Sequence, residues 1–147
     1  MDRRRGREGG YSMAWWAVIF AFVLLPLMSL AIDITRLLFV RTDLQTSVDA
    51  ACEAAALAGD ARVFNATGQP RIDLALGSRY AAQAFGASAA EAGIVGYSAA
   101  LTGLALISPT EVACAARAVV TPLIPYSPGL EVRVQAQARM RFLEREP

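Results

Sequence analysis

The sequence contains no histidine and no lysine, so all 14 of its basic residues are arginines. Histidine is the usual general base at neutral pH and the commonest metal ligand in proteins. The sequence also has no glycine-rich phosphate loop, no calcium-binding loop and no nucleophile elbow. We therefore predict that the protein is not an enzyme and that it has no metal site, no cofactor and no small-molecule substrate.

Net charge and cysteine content are low as well. The formal charge is +1, with 13 acidic residues against the arginines, so no overall positive field suggests a nucleic-acid partner. The two cysteines, Cys52 and Cys114, are too far apart in sequence for a CxxC zinc or redox motif.

The sequence is rich in apolar residues, and the longest apolar run lies near its amino terminus. Residues 11–32 carry no charge, and about 20 apolar residues suffice to cross roughly 30 Å of hydrocarbon. The run is longer than the core of a cleaved signal peptide, so we predict a retained anchor. Four arginines in residues 1–10 favour a cytoplasmic amino terminus and an extracytoplasmic carboxyl-terminal domain. We assign Trp15, Trp16 and Arg36 as anchors at the membrane interfaces.

Helical spacing continues beyond the apolar run without a glycine until Gly59. Read as one helix, residues 12–58 are about 70 Å long, more than a bilayer requires. The segment beyond the membrane is therefore a stalk whose apolar stripe needs a cover. The predicted stripe consists of Ile34, Leu37, Leu38, Leu44, Val48, Ala51, Cys52, Ala55 and Ala58.

The same segment resembles the amino-terminal region of TadE/TadG-like proteins of Tad (Flp) pilus systems, most strongly over residues 9–60. The matching features are Asp33 at the exit of the apolar run, the segment 36–40, Leu44 with Gln45, and the Ala-rich segment 49–58. The resemblance implies a single-pass structural or assembly protein of the bacterial inner membrane. Its implied partners are the lipid bilayer and other membrane or pilus-assembly proteins, contacted through the transmembrane and stalk helix.

A second interpretation remains open. The same stalk would suit a single-span, non-catalytic accessory subunit of a larger membrane complex, such as a respiratory or photosynthetic assembly. Neighbouring genes, or co-migration in native membranes, would separate the two interpretations.

The remainder of the chain combines one more helix with strands. Residues 71–85 have helical spacing, with Tyr80 and Phe85 expected against the stalk and Gly86 as the stop. Period-two alternation predicts strands over 112–120 and 130–142, and residues 93–107 suggest two short strands or a hairpin. A sheet with one apolar face needs a helix to cover it. We therefore predict an α+β membrane protein with a long amino-terminal helix and a small antiparallel sheet packed on its extracytoplasmic half, a pilin-like lollipop.

This division gives four predicted regions: a basic cytoplasmic tail (1–10), a transmembrane helix (11–35), a stalk (36–59) and an extracytoplasmic α+β domain (60–147). The loop residues Leu123, Ile124 and Tyr126 are candidates for contact with the membrane or a partner. Cys52 on the stripe and Cys114 on the apolar face of its strand point into the same layer. We predict a disulfide between them, the alternative being two buried free thiols.

Overall fold

The computed structural model describes residues 8–91, 97–122 and 128–141, with side chains from Met13 onward. Its first element is one continuous helix of 49 residues, α1 (Glu8–Ala56). The helix continues through Pro26 without a break. Among the described residues, α1 is the one helix that is long and apolar enough to cross a membrane. Almost none of its most apolar stretch of 18 residues is buried in the protein. The prediction of a single long helix is confirmed.

The last third of α1, after Phe39, is buried along one side. Its covered stripe differs from the predicted one, because Ile34 and Leu38 at the membrane end are exposed, while Val40 and, farther along, Ser47 are covered. The buried residues of this segment are Val40, Leu44, Ser47, Val48, Ala51, Cys52, Ala55 and Ala56.

A three-stranded antiparallel sheet covers part of this stripe. Its strands are β1 (Tyr97–Ser108), β2 (Glu111–Val120) and β3 (Leu130–Arg139), and β2 lies in the centre. Burial alternates along β2 as the sequence predicted, with one apolar face toward α1. Residues 97–108 form one strand, and not the two short strands considered above; shifts in its register with β2 accommodate the irregular pattern.

Two further helices complete the fold. The short helix α2 (Ala61–Thr67) occupies a segment that has loop-like composition. The Asp60 carboxylate accepts hydrogen bonds from the N–H groups of Arg62 and Val63, and Gly68 ends the helix at a φ of 70°. The longer α3 (Leu74–Glu91) packs against α1 and is capped by Asp73.

The predicted helix over 71–85 was therefore misplaced at both ends. It begins at Leu74 and continues through Gly86 to Glu91, because Gly86 does not adopt the positive φ with which glycine ends a helix. Phe85 is buried as expected, whereas Tyr80 is exposed. The α+β class and the packing of the sheet on the carboxyl-terminal half of α1 are confirmed.

Gly77 of α3 lies close to the backbone of α1, and this gives a test of the packing. A Cβ added at Gly77 would lie 3.2 Å from the carbonyl oxygen of Ala55. We expect Gly77→Leu to lower the free energy of unfolding by about 1–3 kcal/mol through overpacking. The matched control is Gly86→Ala in the same helix, where an added Cβ meets nothing within 4 Å. It should raise stability by up to about 1 kcal/mol through helix propensity. Urea denaturation of both variants in detergent measures the difference, and equal midpoints would contradict the close contact.

Candidate functional site

The strongest link between the helix and the sheet is a disulfide. Cys52 of α1 and Cys114 of the central strand form the predicted bond, with their Cα atoms 5.6 Å apart. Both side chains are almost fully buried, and the Cys52 sulfur lies 3.5 Å from the carbonyl oxygens of Val112 and Ala136. The bond therefore fixes the stalk half of α1 to the middle of the sheet.

The strands lie along the axis of α1. The Gln45 side-chain amide donates a hydrogen bond to the carbonyl oxygen of Gln135 at 3.2 Å, and just beyond the carboxyl ends of both elements Gly59 lies beside the Met140 methyl group. Helix α1 and strand β3 thus run in the same direction. The sheet consequently has one end toward the apolar run of α1 and another end away from it.

From Met13 to Phe39, α1 lacks a protein cover on most of its surface. Trp15 and Trp16 are well exposed there, and the Trp16 ring centroid is 6.3 Å from that of Phe20. Arg36 is partly buried and follows the run, close to Asp33 in sequence. These positions are compatible with interface anchors, and that role stays a prediction.

The loop residues Leu123, Ile124 and Tyr126 lie outside the described residues. The strands that flank them are described: β2 ends at Val120 and β3 begins at Leu130, and these two residues pair with each other. A role for the loop in membrane or partner contact stays a prediction.

A groove of about 530 Å³ opens between the stalk and β3. Its helix side carries the carboxylates Asp49 and Glu53, and its strand side carries Arg139 and Arg141. No group of three or more potential metal-binding side chains occurs in the described part of the chain. One side of the groove is acidic and the other is basic. Opposite charges of this kind are common where two elements meet at a solvent-exposed surface.

The outer face of the sheet is polar along β3. The Arg133 guanidinium donates two hydrogen bonds to Glu131, at 3.1 and 3.0 Å, which lowers the pKa of that carboxyl below its ordinary value. Arg117 lies 3.9 Å from the same carboxylate. The arginines of this face thus share a carboxylate in solvent, as expected for an exposed strand surface.

The burial of two polar residues of α1 was missed by sequence reasoning. Ser47 interrupts the apolar stripe and its hydroxyl is 3.0 Å from that of Ser88, so that α1 and α3 share a hydrogen bond. Asp33 is 7% exposed, although Ile32 and Ile34 beside it are about half exposed. Both residues lie on the same side of the helix as Val40 and Leu44. That spacing was the signal in the sequence from which their burial could have been predicted.

Taken together, these features describe a bare apolar helix segment that continues into a stalk with its own small domain. A family model described as "Putative Flp pilus-assembly TadE/G-like" matches residues 10–66. The resemblance to TadE/TadG-like proteins is therefore confirmed over this segment. The matched residues comprise α1 from residue 10 onward and nearly all of α2, and they leave α3 and the sheet outside the match. No curated protein and no solved structure matches the chain.

Proposed function

We propose that the protein is a single-pass, non-catalytic structural or assembly protein of the bacterial cell envelope, associated with Flp pilus assembly. The observation that carries this proposal is the match of residues 10–66 to the TadE/G-like family, which coincides with the bare apolar helix and its stalk. In this proposal the apolar half of α1 contacts lipid and other membrane or pilus-assembly proteins. The domain carried by the stalk lies outside the cytoplasm.

Two further features support that orientation. Arginines before the first span favour a cytoplasmic amino terminus, and four of them fall in residues 1–10. Disulfides form and persist outside the reducing cytosol, and the Cys52–Cys114 bond lies in the stalk domain. We therefore propose the inner membrane as the location. The four-region division 1–10, 11–35, 36–59 and 60–147 remains part of this proposal.

The anchor is tested by placing charge in the apolar run. Leu24→Arg with Leu25→Arg should release the protein from carbonate-washed membranes, because each arginine at the centre of a span costs about 3 kcal/mol of insertion free energy. The control is Thr42→Arg with Thr46→Arg on the exposed side of the stalk, which should remain in the membrane. Equal retention of the two double variants would contradict the anchor.

The assignment to pilus assembly is tested in the native cell. Deletion of the gene should abolish Flp pili in electron micrographs, and the wild-type chain should restore them, whereas the Leu24→Arg, Leu25→Arg variant should not. A carboxyl-terminal reporter that is active only in the cytoplasm should stay silent. Normal piliation of the deletion strain, with co-purification of the protein in another membrane complex, would favour an accessory subunit instead.

A further inference from the structure

The end of the sheet that faces the apolar run of α1 carries exposed apolar side chains. Val119 of β2 and Leu130 of β3 lie at this end, and Leu38 and Phe39 of α1 are exposed just before the covered stripe begins. We call these four residues the base. Large side chains at an ordinary aqueous surface are scattered singly, whereas Val119 and Leu130 lie on the two opposite faces of this end of the sheet, so the end itself is the candidate contact surface.

The height of the base along α1 follows from the contacts between helix and sheet. Gln45 contacts Gln135, and Leu130 lies five residues earlier on β3, or about 17 Å at 3.3 Å per residue. The same distance is about 11 helical residues, which places Leu130 near the level of Ile34. A second estimate starts from the disulfide. Cys52 is bonded to Cys114, Cys114 pairs with Ala136, and Leu130 lies six residues before Ala136 on β3. The same arithmetic then places Leu130 near the level of Phe39.

If the apolar run crosses the membrane, the first of these levels lies within the headgroup layer and the second lies directly above it. Ile34 and Phe39 are about 3 and 10 Å beyond Ile32, the last residue of the run, at 1.5 Å per residue. The headgroup region on each side of the hydrocarbon is about 5–8 Å thick. The two estimates therefore place the base at the headgroup layer or directly above it.

Burial around the exit of the run supports this position independently. Asp33 directly follows Ile32, and the protein covers it to 7% exposure. A domain that began well above the membrane would leave this level of the helix bare on all sides. On one side of α1, then, the protein reaches down to the exit of the apolar run.

The charges around the base also suit a lipid surface. Arg36 and Arg41 bracket Leu38 and Phe39 on the helix, and Arg41 is exposed. Guanidinium groups bind phosphate well, and apolar side chains between arginines are typical of segments that lie in the interface. One acidic group also lies near this end of the sheet: burial, and secondly the Asp43 carboxylate, raises the pKa of the hydroxyl of Tyr97, which pairs with Val120.

We propose that the base, formed by Leu38, Phe39, Val119 and Leu130, binds the headgroup layer of the membrane that α1 crosses, so that the domain rests on the lipid surface. This inference rests on the proposed anchor. A domain held by α1 alone would be free to tilt with the helix. Contact at β2 and β3 adds a second point of support, so that the tilt of α1 and the direction of the domain are fixed together.

Depth measurements with a single fluorescent label test the proposal. The full-length protein is placed in phosphatidylcholine nanodiscs, with or without phosphatidylglycerol, and one cysteine carries an environment-sensitive dye. The base is labelled in Leu130→Cys and separately in Val119→Cys. Ile107→Cys is the matched control, because Ile107 is 52% exposed against 43% for Leu130 and lies at the opposite end of the sheet. Intact mass verifies one dye per chain, which shows that the Cys52–Cys114 bond persists.

Nitroxide on the lipid headgroup should quench the base labels severalfold more than the Ile107 label, with a blue shift of the base emission. The discs contain no other envelope protein, so quenching shows that lipid suffices as the partner. A label at Val23→Cys, inside the apolar run, should be quenched by nitroxide on the lipid chains. If the Val23 label is quenched while the base labels are quenched no more than the Ile107 label, the contact between the base and the lipid is overturned and the anchor stands. Absence of quenching at Val23 would overturn the anchor and this inference with it.

Discussion

Replacement of both Cys52 and Cys114 by alanine is expected to lower the free energy of unfolding of the stalk domain by about 4 kcal/mol. The bond joins residues 62 apart in sequence, and a loop of that length gives this value when the crosslink acts by restricting the unfolded chain. Alanine is preferred to serine because both side chains are buried, and a buried hydroxyl without a partner would add its own cost.

The effect should be large because the layer between the helix and the sheet is thin. Many of the buried residues on both sides are alanines, including Ala51 and Ala55 on α1 and Ala116 and Ala118 on β2. Small side chains bury little apolar area each, so a small core gains proportionately more from a covalent link.

Urea denaturation in detergent, followed by circular dichroism, measures the change. The matched control is the wild-type protein with dithiothreitol, whose midpoint should fall toward that of the double variant, while the variant itself should not respond to the reductant. A double variant that unfolds at the wild-type midpoint would show that the crosslink does not stabilise the domain.

Leu44→Ala is expected to destabilise the same domain by about 2–5 kcal/mol. Leu44 is 1% exposed and is among the largest fully buried side chains of the described residues. Its removal forfeits the transfer free energy of the side chain and leaves a cavity between α1 and its cover. Alanine neighbours are too short to fill that space, so relaxation should recover little of the loss.

Leu57→Ala is the control for this prediction, since Leu57 lies directly after the end of the same helix and is 75% exposed. It should change stability by less than about 0.5 kcal/mol. The two variants are compared by urea denaturation in detergent at fixed pH. Similar midpoints for the two would mean that the stalk is not the core of the domain.

The long helix and two strands were predictable because their burial follows a regular period. Leu44, Val48 and Ala55 recur at helical spacing, and Val112, Cys114 and Ala116 recur at spacing two. The pairing of the cysteines followed from these phases, since both fall on the buried side of their element. Element bounds were less predictable, as the segment 61–67 has loop composition, yet Asp60 and Gly68 cap it as a helix.

Glycines and exposed aromatic residues illustrate what local sequence leaves open. Gly68 ends a helix and Gly86 does not, although both follow a segment with helical potential. Only Gly68 has the left-handed backbone conformation, and the chain beyond it turns back so that Gly59 and Ile72 form a bridge. Tyr80 has helical phase for burial but lies on the side of α3 that turns away from α1.

The sequence by itself determined the apolar run, its continuation as a stalk, the alternation of the strands and the resemblance to a pilus-assembly family, because each depends on residues close together in the chain. The tertiary structure alone decided which part of the stripe is covered, how far the domain reaches toward the apolar run, and where polar side chains are buried. Asp33, Ile34 and Leu38 illustrate this, since the carboxylate is covered and the two apolar residues are exposed. Burial at those positions depends on the register of α1 against distant strands, and packing across the whole domain sets that register.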